Sequence, residues 1–141
     1  MFKKFFKKKE KISNENVNIS IVALLINAAK IDENYTETEK EIIKKVIMEL
    51  NDISYNESEK ILKISEKLES ESNQIVEFTK EIKKRPMEFR LKIIEILWKI
   101  VYSDGSDDNF ESNLIRRVCG LLYVSDRDSG IIKTKIKNLS S

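Results

Sequence analysis

The 141-residue chain carries 26 lysines and arginines against 24 aspartates and glutamates, no histidine, one cysteine, three glycines and one proline. Without histidine it lacks the commonest general base, the serine triad in its usual form and imidazole metal ligation; a single thiol gives neither an intrachain disulfide nor a thiolate zinc site. So few turn-formers in a chain long enough for one domain exclude most sheet-rich folds and point to an all-α fold.

The net charge of +2 conceals an asymmetry. Residues 1–11 hold six lysines and one acid, a net of +5, whereas the remaining 130 residues hold 20 basic and 23 acidic side chains, a net of −3. In a helix Phe2, Phe5 and Phe6 share one face, and Lys3, Lys4, Lys7, Lys8 and Lys9 surround them. Such a segment can lie on an anionic membrane surface, with about 1 kcal/mol per lysine from the lipid charge. It can also pack on the domain, contact phosphates, or simply solubilise the start of the chain. No aromatic-plus-basic pattern recurs later, so nucleic acid is not an expected partner. No apolar run reaches the roughly 18–20 residues that span a bilayer, and no uncharged core of about 7–15 residues follows the charged start. Cys119, in an apolar stripe, is expected to be a core residue and suits a reducing compartment. The expected location is the cytoplasm, at the inner face of the membrane. Residues 1–14 are expected to form a basic amphipathic segment, and residues 15–141 one helical domain.

A polar hinge at Ser13–Asn18 precedes a helix over about 16–31, apolar almost all round and therefore central. Thr36-Glu37-Thr38-Glu39 reads as a capping box that opens a helix to about Leu50. Ser54-Tyr55-Asn56-Glu57 opens another, to about Ser72, with Ile61, Leu62, Ile64 and Leu68 facing inward. A short helix over 75–84 turns in Ile75, Phe78 and Ile82. Arg85-Pro86 breaks the chain, and a helix from Pro86 to about Ser103 buries Phe89, Ile93, Ile94, Leu97, Ile100 and Val101, with Trp98 in the core. Gly105 is placed to end that helix and Asp108 to cap the next, which ends near Leu122. Ser125-Asp126-Arg127-Asp128 begins the last, to about Leu139.

Two acidic turns stand 72 positions apart, Asp32 through Glu39 and Asp104 through Glu111. At that offset Leu24, Leu25, Ala28 and Ala29 align with Ile96, Leu97, Ile100 and Val101, and Ile42, Ile43, Val46 and Leu50 align with Leu114, Ile115, Val118 and Leu122. With one residue of slippage Ile53-Ser54 aligns with Val124-Ser125. The expected architecture is a bundle of about seven helices: two pseudo-symmetric three-helix repeats joined by a short helix.

The run Ser103-Asp104-Gly105, Glu111, Leu114-Ile115-Arg116-Arg117-Val118 and Leu122-Tyr123-Val124-Ser125 resembles the TerB-like family, named for tellurite resistance. Ala28-Ala29-Lys30-Ile31-Asp32 through Glu39 resembles the same family's first turn, and the likeness covers roughly residues 20–130. It implies an all-α domain of about seven helices, an acidic surface that binds divalent cations, and a role in stress-resistance complexes at the cytoplasmic membrane, through protein partners. The first turn departs from the family pattern, with Glu33 in place of glycine and Ile31 where a small residue is usual.

Hard divalent cations such as Ca²⁺ and Mg²⁺ take several oxygen ligands, which Asp32, Glu39, Asp104, Asp107, Asp108 and Glu111 would supply. An EF-hand is excluded, because Asn109 and Ile115 stand where that loop requires glycine and glutamate. Glu39, Glu111 and Asp108 are equally explained as caps, and acids suit helix N-termini without any metal. Asp32 and Asp104 end helices instead, where the dipole disfavours negative charge, so a cation or a basic side chain is expected beside them. The reading that follows is a non-enzymatic, TerB-like interaction module with no catalytic residues. Its rival is a hydrolase whose metal, held by Asp32, Asp104 and Glu111, activates water.

Deleting residues 1–14 is expected to move the thermal midpoint by only a few degrees, since surface segments seldom matter by more than about 0.5 kcal/mol. The same deletion is expected to abolish binding to anionic vesicles in a co-sedimentation assay.

Overall fold

The computed structural model of the chain describes residues 19–31, 35–72, 74–103 and 109–140, and all regular structure among them is helical. The first helix, α1, covers residues 19–29. Then come α2 (Glu37–Asn51), α3 (Tyr55–Ser72), α4 (Ile75–Thr79), a 3₁₀ turn (Ile82–Lys84), α5 (Met87–Tyr102), α6 (Asn109–Leu122) and α7 (Asp126–Ser140). The all-α expectation is correct.

Helix α1 is the centre of the core. Every residue from Ile21 to Ile26 is inaccessible to solvent, and Ala28 and Ala29 are buried beyond them. A helix apolar on all sides has no stable place except inside, so the others enclose it. Helix α5 is the second core element, with Ile93, Ile94, Ile96, Leu97, Trp98, Ile100 and Val101 buried. It packs against α7 and α6; α2 lies on α3, and α4 with the 3₁₀ turn lies on α6. Cys119 is fully buried among these residues, as expected, and burial raises its thiol pKa.

Polar contacts fix how the layers meet. The Trp98 indole Nε1–H donates to Ser129 Oγ at 3.2 Å, tying α5 to α7, and its ring stacks on Tyr102 of the same helix with centroids 6.0 Å apart. Arg90 donates from Nε to the Arg85 carbonyl at 2.9 Å and from Nη1 to the Leu122 carbonyl at 2.8 Å. The start of α5 thereby satisfies an orphan carbonyl at the end of α6.

The turns after α2 and α6 share one local design. Asp52 (φ 52°) and Tyr123 (φ 57°) both adopt the left-handed conformation. An apolar residue follows each, Ile53 or Val124, and then a serine. Ser54 Oγ accepts from the Glu57 N–H at 3.2 Å, and Ser125 Oγ accepts from the Asp128 N–H at 3.1 Å. After α6 the Val124 N–H reaches back to the Cys119 carbonyl at 2.9 Å, the longer-range bond of a Schellman cap.

Two expectations need correction. Ile64 does not face inward; it is 55% exposed. The buried stripe of α3 is Ser58, Leu62, Ser65 and Glu69, spaced four, three and four residues apart as one helix face requires, with Ile61 and Leu68 at its margins. The inward positions of α3 are thus occupied largely by small or polar side chains. The predicted helix over 75–84 is in fact two short pieces, α4 and the 3₁₀ turn, separated at Lys80-Glu81. Ile75, Phe78 and Ile82 are all buried as expected. The tighter 3₁₀ winding brings the chain to Arg85, which is extended ahead of Pro86 as a residue before proline must be.

Chemical denaturation of two alanine variants checks the register of α3. Leu62→Ala is expected to cost about 2–5 kcal/mol as a core truncation. Ile64→Ala is expected to change stability by less than about 0.5 kcal/mol, as on a solvated face.

Candidate functional site at the first helix junction

The junction between α1 and α2 is built by a capping box and a buried carboxylate. Thr36 is extended, and its hydroxyl accepts from the Glu39 N–H at 3.1 Å. In return Glu39 Oε1 accepts from the Thr36 N–H at 2.8 Å and from its hydroxyl at 3.0 Å. This arrangement satisfies two backbone donors that the helix start would leave open. Glu39 is only 1% exposed, so the cap is also part of the core boundary.

Helix α3 brings a second buried carboxylate. Glu69, 4% exposed, accepts from Lys30 Nζ at 2.8 Å and from Asn27 Nδ2 at 3.3 Å. Both donors lie on the last turn of α1 and beyond it, so a charged pair pins the C-terminal end of α1 to α3. A lysine there also complements the negative end of the helix dipole.

Tyr35 completes the junction. Burial pushes its hydroxyl pKa well above the ordinary value of 10.0, and the charges of Glu66, Glu39 and Glu37 push it further the same way. Lys40 Nζ lies 4.9 Å from the ring centroid. The phenol is therefore held neutral in a field set by carboxylates from both α2 and α3.

Of the sequence-predicted ligands, Glu39 stands within this junction. Asp32, Asp104, Asp107 and Asp108 lie outside the described residues, as do Phe2, Lys3, Lys4, Phe5, Phe6, Lys7, Lys8 and Lys9. Glu111 belongs to the first turn of α6, and its side chain lies outside the described residues. Among the described residues no group of three or more histidine, cysteine, aspartate and glutamate side chains is placed to hold a metal ion. Tyr35, Glu66 and Glu69 were missed by the sequence reading. The signal for Glu69 was the period of α3: it continues the face of Ser58, Leu62 and Ser65, which hydrophobicity alone does not mark.

Fold and junction together define an all-helical module whose carboxylates are built into its helix boundaries, and among the described residues no helix is long and apolar enough to cross a membrane. Residues 18–134 match the family model described as tellurite resistance protein TerB. The match spans most of the chain, and the protein belongs to this family. No curated protein and no solved structure matches the chain.

Because the Tyr35 pKa is raised in the fold, its contribution to stability is complete below about pH 10 and is lost as pH rises further, where the unfolded chain releases the proton first. The thermal midpoint of the wild type is expected to fall more steeply between about pH 9.5 and about pH 11 than that of Tyr35→Phe, with the two nearly parallel at neutral pH. Equal alkaline slopes would contradict the assignment.

Proposed function

We propose that this protein is a non-enzymatic helical interaction module of the tellurite-resistance type, with an acidic end that takes up Ca²⁺ or Mg²⁺. Its basic N-terminal segment holds it near an anionic membrane surface. The observation that carries the reading is the family match over residues 18–134 together with the two acidic turns, Asp32 through Glu39 and Asp104 through Glu111, that stand 72 positions apart. A hard cation takes several carboxylate oxygens in flexible coordination, the donor type that both acidic turns supply. Asp32 and Glu39 bracket the first acidic turn in the sequence. The second acidic turn repeats the pattern with Asp104, Asp107, Asp108 and Glu111.

Calorimetry and thermal unfolding with Ca²⁺, Mg²⁺ and Mn²⁺ test the reading. A bound cation is expected to stabilise the wild type by about 2.7 kcal/mol at a hundredfold excess over the dissociation constant. Asp104→Asn is expected to remove most of that gain while leaving the metal-free protein equally or slightly more stable, because it relieves a clash with the helix dipole. Asp32→Asn is expected to do less, given Ile31 and Glu33 beside it. A midpoint indifferent to millimolar divalent cations, with Asp104→Asn destabilising in every buffer, would reject the cation site.

A further inference from the structure

An open cleft of about 340 Å³ lies where α4 and the 3₁₀ turn meet the end of α6, lined by Val76, Thr79, Lys80, Lys83, Leu121 and Tyr123 among others. Three of its features point to a ligand. The first is exposed apolar surface: Val76 is 55% and Tyr123 68% accessible, with Leu121 half-buried between them. The second is backbone conformation. Tyr123 holds a left-handed φ of 57° at a helix end where glycine is the ordinary choice, so an aromatic side chain is kept there against a conformational cost. The third is charge. Lys80 and Lys83 border the cleft, and α6 extends the border, because Arg116 and Arg117 stand one turn before the cleft-lining Gly120 on the same helix side. All four cations are exposed, and among the described residues none is in an ion pair. Glu77 is the one acid on the lining, so the border is basic on balance.

We propose that this cleft is a docking site for an acidic peptide segment of a partner protein, one that carries an aliphatic or aromatic anchor between carboxylates. The anchor packs on Val76, Leu121 and the Tyr123 ring, and the flanking carboxylates pair with Lys80, Lys83, Arg116 and Arg117. A cleft of this size admits one large side chain rather than a folded surface, which favours a linear segment. Arginine suits the role because its planar fork takes a carboxylate through two hydrogen bonds at once. The proposal names a surface for the interaction role proposed above and rests on that role. It uses none of the residues assigned to the cation, so the two tests fail separately.

The experiment is fluorescence anisotropy on the full chain with three labelled peptides: a glutamate-rich peptide with a central Leu-Phe anchor, the same peptide with the anchor replaced by Ser-Ser, and a neutral peptide keeping the anchor. Only the first is expected to bind saturably, with affinity falling as salt rises. The paired substitution Lys80→Glu with Lys83→Glu is expected to weaken it at least tenfold without altering the circular dichroism. Tyr123→Gly is the decisive variant. Glycine relieves the left-handed strain, so the thermal midpoint is expected to stay equal or rise while the peptide is lost at least tenfold. Equal binding of the anchored and Ser-Ser peptides would show charge attraction alone, such as the N-terminal lysines provide, and would overturn the proposal. So would affinity unchanged in Tyr123→Gly or in the paired lysine variant, or binding of anionic vesicles that depends on Lys80 and Lys83 when the peptide does not bind.

Discussion

The structure depends on the burial of α1. Six consecutive residues, Ile21 to Ile26, are fully removed from water, so this helix has no polar face to offer solvent. Each large side chain among them gains roughly 1.5–3 kcal/mol from burial, and only if neighbours surround it on every side. The other helices can afford solvated faces because α1 has none. Its last turn is where this arrangement meets water. There the buried backbone ends, and polar groups must take over.

That transition explains why carboxylates gather at the first junction. The C-terminal end of α1 presents carbonyl oxygens and a negative dipole end, and the start of α2 presents open N–H groups. Lys30 on Glu69 answers the first need and the Thr36–Glu39 box answers the second. Both solutions place carboxylates close to the core, and nearby Tyr35 has its pKa raised first by burial and then by Glu66, Glu39 and Glu37. The acidic character of the junction therefore has a structural origin.

The opposite balance holds at the end of α6. Arg90 and a Schellman cap close the helix, and the exposed cations Lys80, Lys83, Arg116 and Arg117 are in no ion pair among the described residues. Tyr123 lines the cleft with Lys80 and Lys83. Its backbone is strained and its ring is in solvent, so its contribution to the isolated fold is a cost. The equivalent turn after α2 uses Asp52, a residue type that tolerates the left-handed region more readily.

The sequence by itself determined the fold class, the family and most helix boundaries. Those follow from local physics: apolar period, capping boxes at Thr36–Glu39 and Ser54, and the break at Arg85-Pro86. It also marked α1 as central, because a helix without a polar side can lie nowhere else. Only the tertiary structure decided which face of α3 is buried. Ser58, Ser65 and Glu69 carry no hydrophobic signal, and they turn inward because small side chains permit close helix approach and because Lys30 and Asn27 wait for Glu69 on another helix. It likewise decided that Tyr35 and Glu66 belong with Glu39, since they come from the α1–α2 turn and from α3. Long-range pairing of buried polar groups depends on which elements the packing brings together, and no local pattern in the chain encodes it.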